Sequence, residues 1–162
     1  MAEIDVVIED DRWEAARLDE LARRAGQAAL DWLNMDADLC VMGCDDSRIA
    51  ALNGDFRDKP APTNVLSWPA VEHVDHPAGA NPPRPDTDEL GDIAISFDSC
   101  AREAETQGKA FDAHVTHLLV HAVLHLAGYD HLNDADAETM EAAERSILEP
   151  LGIDDPYQER NS

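Results

Sequence analysis

The chain opens on an alternation. In EIDVVIE (3–9), Ile4, Val6 and Ile8 stand against Asp5 and Glu9, the period of two expected of a strand. The period then changes. Over 12–34, Trp13, Ala16, Leu21, Ala25, Ala28, Ala29 and Trp32 recur at steps of three and four, which predicts a helix. LCVMG (39–43) reads as a buried strand, and Asp45 or Asp46 then caps a short helix with Ile49, Leu52 and Phe56 on one face. TNVLSWP (63–69) is a strand stopped by proline, and LGDIAIS (90–96) is another. Between them, residues 69–88 hold five of the nine prolines and Gly79 without periodicity, the composition of a long loop expected to be mobile.

Three helices follow. Asp98 or Ser99 caps one running to about Gln107. The next spans about Lys109 to Ala127, with Gly128 as its C′ residue. Asn133 caps the last, over about 134–149, where Asp134, Asp136 and Glu138 suit the positive end of the helix dipole. Pro150 and Gly152 end it, and the tail DDPYQERNS is expected to fray. Four strands and five helices in this order describe a single α+β or α/β domain over 1–162 with a small mixed sheet.

Composition adds constraints rather than detail. A chain of 162 residues suits one domain with a real core. Neither a signal peptide nor a membrane anchor is expected from MAEIDVVIEDDRWE, which carries acid early and no long apolar run, so the expected compartment is the cytoplasm. Three cysteines, Cys40, Cys44 and Cys100, argue against a disulfide framework, and no thiol chemistry is expected of them. The net charge of −23 argues against a broad nucleic-acid surface, because phosphate contacts need local Lys or Arg.

The chemistry concentrates in one helix. His114, His117, His121 and His125 follow at steps of three, four and four, which predicts one stripe of imidazoles beside the apolar stripe Phe111, Val115, Leu118, Ala122 and Leu126. An i, i+4 histidine pair places two ring nitrogens on one metal. Gly128 lets the chain swing out of the helix so that His131 returns as a third ligand. Three protein ligands leave a fourth position open, the catalytic arrangement of zinc. Asp130 is expected to orient a ligand imidazole or tie down the turn, and His114 and His117 to support the ligands by hydrogen bonding. His73 and His76, in the proline-rich loop, read as exposed histidines.

The spacing H-x3-H-x5-H is that of zinc proteases, which carry a glutamate after the first histidine as general base. Here that residue is Ala122. Peptide hydrolysis must protonate a poor amine leaving group, so its loss counts against a protease. Phosphodiester cleavage needs positive charge on the phosphate oxygens and a nucleophile in line. In FRDKPAPTNVLSWP (56–69), Arg57 and Lys59 are two cations in a turn ahead of a strand, and the planar fork of an arginine suits phosphate oxygens.

Taken in order, FRDKPAPTNVLSWP, ELGDIAIS (89–96) and HLLVHAVLHLAGYDH (117–131) resemble the YbeY family of zinc-dependent rRNA-maturation endoribonucleases. The resemblance covers most of 40–149. It implies a zincin-like α+β fold with a four-stranded mixed sheet and about five helices. It also implies one zinc per chain on His121, His125 and His131, and a functional Arg57. The activity it implies is endonucleolytic maturation and quality control of small-subunit ribosomal RNA, in the context of the small ribosomal subunit. Alanine stands at 122 where the family usually has glycine, Trp68 replaces the usual phenylalanine, and the 69–88 loop is longer than typical. The charge of −23 then predicts RNA contact confined to a patch around Arg57, Lys59 and the metal, with weak binding to free RNA helped by a ribosome-associated protein partner. Two other readings are a ribosome-assembly factor with a mainly structural zinc site and, disfavoured by Ala122, a metalloprotease-like hydrolase.

Overall fold

The computed structural model of the chain describes residues 3–57, 61–70, 76–83, 85, 87–130 and 133–153, with the backbone alone at Phe56 and Arg57. The four strands are β1 (Ile4–Ile8), β2 (Asp38–Cys44), β3 (Val65–Pro69) and β4 (Glu89–Ser96). They form one mixed sheet in the order β1-β2-β4-β3. β1, β2 and β4 are parallel, and β3 is an antiparallel edge strand beside β4. The helices are α1 (Arg12–Ala15), α2 (Leu18–Leu33), α3 (Asp46–Arg57), α4 (Phe97–Gln107), α5 (Phe111–Leu126) and α6 (Asp134–Leu148), the last followed by a 3-10 turn over Glu149–Leu151.

The period of two decides which helices cover which face. Leu39 and Val41 of β2 and Ile93 and Ile95 of β4 join the main core with α2, α5 and α6. Residues of the opposite parity point the other way: Cys44 of β2, Ala94 of β4 and Leu66 of β3 meet Ile49 of α3 in a smaller cluster. On β3 the same parity sends Leu66 to α3 and Val65 and Ser67 to the α5 side. Ser67 is thus a hydroxyl on a face otherwise given to the core.

The helix expected over 12–34 is two helices. Arg17 takes a left-handed backbone, φ 59°, between α1 and α2. The physical reason is Gly43. A Cβ there would fall 2.5 Å from Leu18 Cδ2 and 2.6 Å from Trp13 Cδ1. Residues five apart do not share a helical face, so the break at Arg17 lets both side chains close over the glycine. Trp13 is then fully buried and donates its indole N–H to the Cys44 carbonyl at 3.0 Å. The break also shifts the apolar face of α2, which buries Leu30 and Leu33 and leaves Trp32 41% exposed.

Local signals hold elsewhere with small shifts. Asp45 caps α3, accepting from the Arg48 N–H at 2.8 Å. The cap of α4 lies two residues before the nearer of its two expected caps. Ser96 occupies the cap position, and Asp98 inside the first turn instead accepts from Arg12 and from the Asp46 N–H. Asn133 caps α6, accepting from the Asp136 N–H at 2.8 Å. Asp38 pairs with Glu89 but Leu39 pairs with Gly91, so Leu90 is the extra residue of a β-bulge. Gly91 has φ +150°, and a Cβ there would stand 2.3 Å from the Trp68 carbonyl oxygen. Only glycine lets β3 come this close. In the described part of the 69–88 loop, Gly79 is tied to α6: its N–H donates to Asp136 at 2.9 Å and its carbonyl accepts from Thr139 at 2.6 Å. Among the described residues no helix is long and apolar enough to cross a membrane.

Candidate functional site

α5 is apolar nearly all round, the pattern of a helix surrounded by protein. From His114 to Leu126 every residue is buried except His117, His121 and His125. The steps of four leave one stripe open, and it is the histidine stripe. His114 departs from it. It is 4% exposed and its Nε2 meets Glu103 Oε1 of α4 at 2.9 Å, so the row holds three imidazoles rather than four. A cleft of about 410 Å³ runs along the row, with β3 as its opposite wall; Asn64, Ser67 and Ala122 line it together with the three histidines. At Ala122 the helix offers the cleft a methyl group and no base.

Two side chains hold His121 and His125. Ser67 Oγ lies 2.8 Å from His125 Nδ1, reaching from the edge strand. Glu144 Oε1 of α6 lies 2.5 Å from His121 Nδ1, and its Oε2 lies 3.5 Å from His117 Nε2. An imidazole whose Nδ1 is engaged in this way presents Nε2 for ligation with its ring angle set by the partner, and the Glu144 carboxylate, which only accepts, also sets the tautomer of His121. Glu144 is fully buried. Burial alone raises the pKa of a carboxyl, but the hydrogen bonds and charges of His117 and His121 outweigh it and bring the carboxyl down to about 2.

Sequence reasoning missed both partners. Glu144 carried a signal: with Met140, Ala143, Ile147 and Leu148 it sits on the buried face of α6 at helical spacing, one acid inside an apolar stripe. Ser67 carried a weaker one, as the polar residue on the inward parity of β3.

The turn after α5 has the predicted glycine. Gly128 has φ +110°; its N–H bonds the His125 carbonyl, and the Tyr129 N–H bonds the Leu124 carbonyl. These two bonds make a Schellman motif, which ends the helix and redirects the chain toward Asp130. His131 lies outside the described residues, as do Lys59 and His73. Arg57 is the last residue of α3. Asn53 Nδ2 of α3 donates to the Ala61 carbonyl at 3.0 Å, two residues before Thr63 joins the cleft wall. His76 Nδ1 meets the Pro77 carbonyl at 3.1 Å, within its own loop.

Most described arginines are already committed. Arg12, Arg17, Arg23, Arg48, Arg102 and Arg145 each pair with a carboxylate, and Arg24 donates to the Leu151 carbonyl. The cysteines carry no sign of reactivity. Burial raises all three thiols, Cys44 to about 12, so a thiolate is not available near neutral pH.

Residues 3–152 match the family model described as Endoribonuclease YbeY. An Endoribonuclease YbeY of Paracoccus denitrificans is 64% identical over 160 residues, covering 98% of this chain and 92% of the relative. One of Cereibacter sphaeroides is 55% identical, covering 95% of this chain and 98% of the relative. A Thermotoga maritima protein known from its solution structure shares the fold, with a TM-score of 0.57 at 21% identity over 96% of this chain and 99% of that one.

Proposed function

The chain belongs to the Endoribonuclease YbeY family, and on that footing we propose that it matures the ends of small-subunit ribosomal RNA with a zinc ion held in the cleft between α5 and β3. The observation that carries this reading is the pairing of His121 and His125 on one open stripe with both Nδ1 atoms engaged, by Glu144 and by Ser67. That donor set suits zinc: neutral imidazoles, one turn apart, each oriented by a further hydrogen bond. His131 is the third ligand in this reading. Bound there, zinc supplies Lewis acidity and lowers the pKa of a water to about 7.

The protein's own groups have distinct tasks. Glu144 holds His121 and, as a buried anion, raises its basicity as a ligand. Ser67 fixes the ring of His125 from the opposite wall. Arg57 grips the scissile phosphate, neutralising charge that develops on its oxygens. Ala122 contributes no proton transfer, which suits a substrate whose leaving group is an alkoxide on phosphorus rather than an amine. The arginines named above pair at the surface away from the cleft, and the cationic patch for RNA in this reading is Arg57 and Lys59. Binding therefore depends on the ribosomal context and a protein partner in the cytoplasm more than on free-RNA affinity.

Elemental analysis and cleavage assays test this together. Protein purified without chelator should carry one zinc per chain. Arg57→Ala should keep the zinc and lose rRNA end processing, whereas His125→Ala should lose both and keep its helical circular dichroism. Zinc content near zero, or normal rRNA ends with Arg57→Ala, overturns the assignment. Global unfolding of His125→Ala would instead favour an assembly factor with a structural metal.

A further inference from the structure

Asn64 enters the cleft wall with its side-chain amide fixed from two sides. Its Oδ1 accepts from the Val65 N–H at 2.7 Å, and its Nδ2 donates to the Glu103 carboxylate, 3.1 Å from Oε1 and 3.4 Å from Oε2. A flipped amide would set N–H against N–H and oxygen against carboxylate, so donor and acceptor cannot exchange. Glu103 is held in turn from behind by the buried Nε2 of His114 at 2.9 Å. Three elements, α5, α4 and the start of β3, thus aim one amide. Asn64 stands three residues before Ser67, which holds His125 on the same wall.

An Asn amide nitrogen has two N–H groups, and Glu103 takes one of them. The acceptor for the other is constrained by charge. Glu103 stands directly behind the amide, so a phosphate brought to it meets a like charge. A neutral oxygen meets none. In single-stranded RNA the hydroxyl oxygen repeated at every nucleotide, a better acceptor than the ring ether oxygen beside it, is the ribose 2′-hydroxyl, the group by which a protein tells RNA from DNA. We propose that Asn64 is a specificity-determining residue that donates to a ribose 2′-hydroxyl of the bound strand, with Glu103, backed by His114, as its positioning residue. The proposal rests on the reading of this cleft as the RNA site.

The test compares labelled oligouridylate with oligodeoxyuridylate of the same length, by fluorescence anisotropy on the full chain. The two ligands share their bases and phosphates, so the ratio of their affinities reports the hydroxyl. The native protein should prefer the ribose form. Asn64→Ala should weaken ribose binding about three- to tenfold, the worth of one neutral hydrogen bond, and leave deoxyribose binding unchanged. Glu103→Ala should reproduce that loss and Glu103→Gln, which keeps an accepting oxygen, should restore the preference. Zinc content and the circular-dichroism spectrum should match the native protein in all variants. Equal loss of both ligands in Asn64→Ala, an unchanged ratio, or failure of Glu103→Gln to restore it overturns the assignment and leaves the zinc reading intact. Free-strand affinity is expected to be weak, so the titration runs to millimolar protein; native protein that binds neither oligonucleotide even there overturns the RNA reading of the cleft, and this assignment with it. If Asn64→Ala does not fold, the Glu103→Ala and Glu103→Gln pair decides alone.

Discussion

Replacing Glu144 with glutamine removes a charge and keeps the shape. In the native protein the carboxyl falls from 4.5 to about 2 because His117 and His121 stabilise its anion against the cost of burial. At about 1.4 kcal/mol per unit, that fall corresponds to roughly 3 kcal/mol of pH-dependent stability. The sign follows from the direction. A carboxyl whose pKa is depressed on folding stabilises the native state fully above pH 4.5, and that contribution is lost as the pH falls through 2. Urea unfolding of metal-free native protein and Glu144→Gln, at a series of pH values between 5 and 2, isolates it, because the carboxylates that do not touch Glu144 cancel in the difference. The native advantage should be largest above pH 4.5 and shrink toward pH 2. The same substitution should weaken zinc binding about 10- to 100-fold in competition with a chelating dye, since the partner that sets the His121 ring is degraded. A stability difference that does not change between pH 5 and 2 refutes the buried ion pair. Native zinc affinity in the variant refutes the orienting role.

Ser67→Ala removes the hydroxyl 2.8 Å from His125 Nδ1. It should cost about 1 kcal/mol, shift the melting temperature by no more than about 4 °C, and weaken zinc binding about tenfold; a melt shift without an affinity change would make Ser67 purely structural. Gly91→Ala places a Cβ 2.3 Å from the backbone oxygen of Trp68 at φ +150°. It should destabilise by roughly 3 kcal/mol or more in urea unfolding, and a change below about 1 kcal/mol would show that β3 can move aside.

Much of the fold was legible from local chemistry. Alternation placed β1, apolar runs placed β2 and β4, and side-chain caps and a C-terminal glycine bounded α5 and α6. These are short-range signals, decided within a turn or a pleat. The break at Arg17 was not legible, because its cause is Gly43, a residue 26 positions away that accepts Trp13 and Leu18 over its bare Cα. The histidine stripe was legible as a pattern, yet its membership was not. His114 keeps helical spacing with His117 but turns to Glu103.

The division falls along the same line at the site. Spacing alone determined that His121 and His125 share a face, that Ala122 supplies no base between them, and that Gly128 turns the chain after them, because each follows from helix geometry and backbone freedom. Only the packing of three elements decided what each imidazole does. Ser67 reaches His125 across 58 residues and Glu144 reaches His121 across 23. Periodicity tells which face of a helix is covered; which side chain covers it depends on the register of β3 and the seating of α6, and those arise only when the core closes.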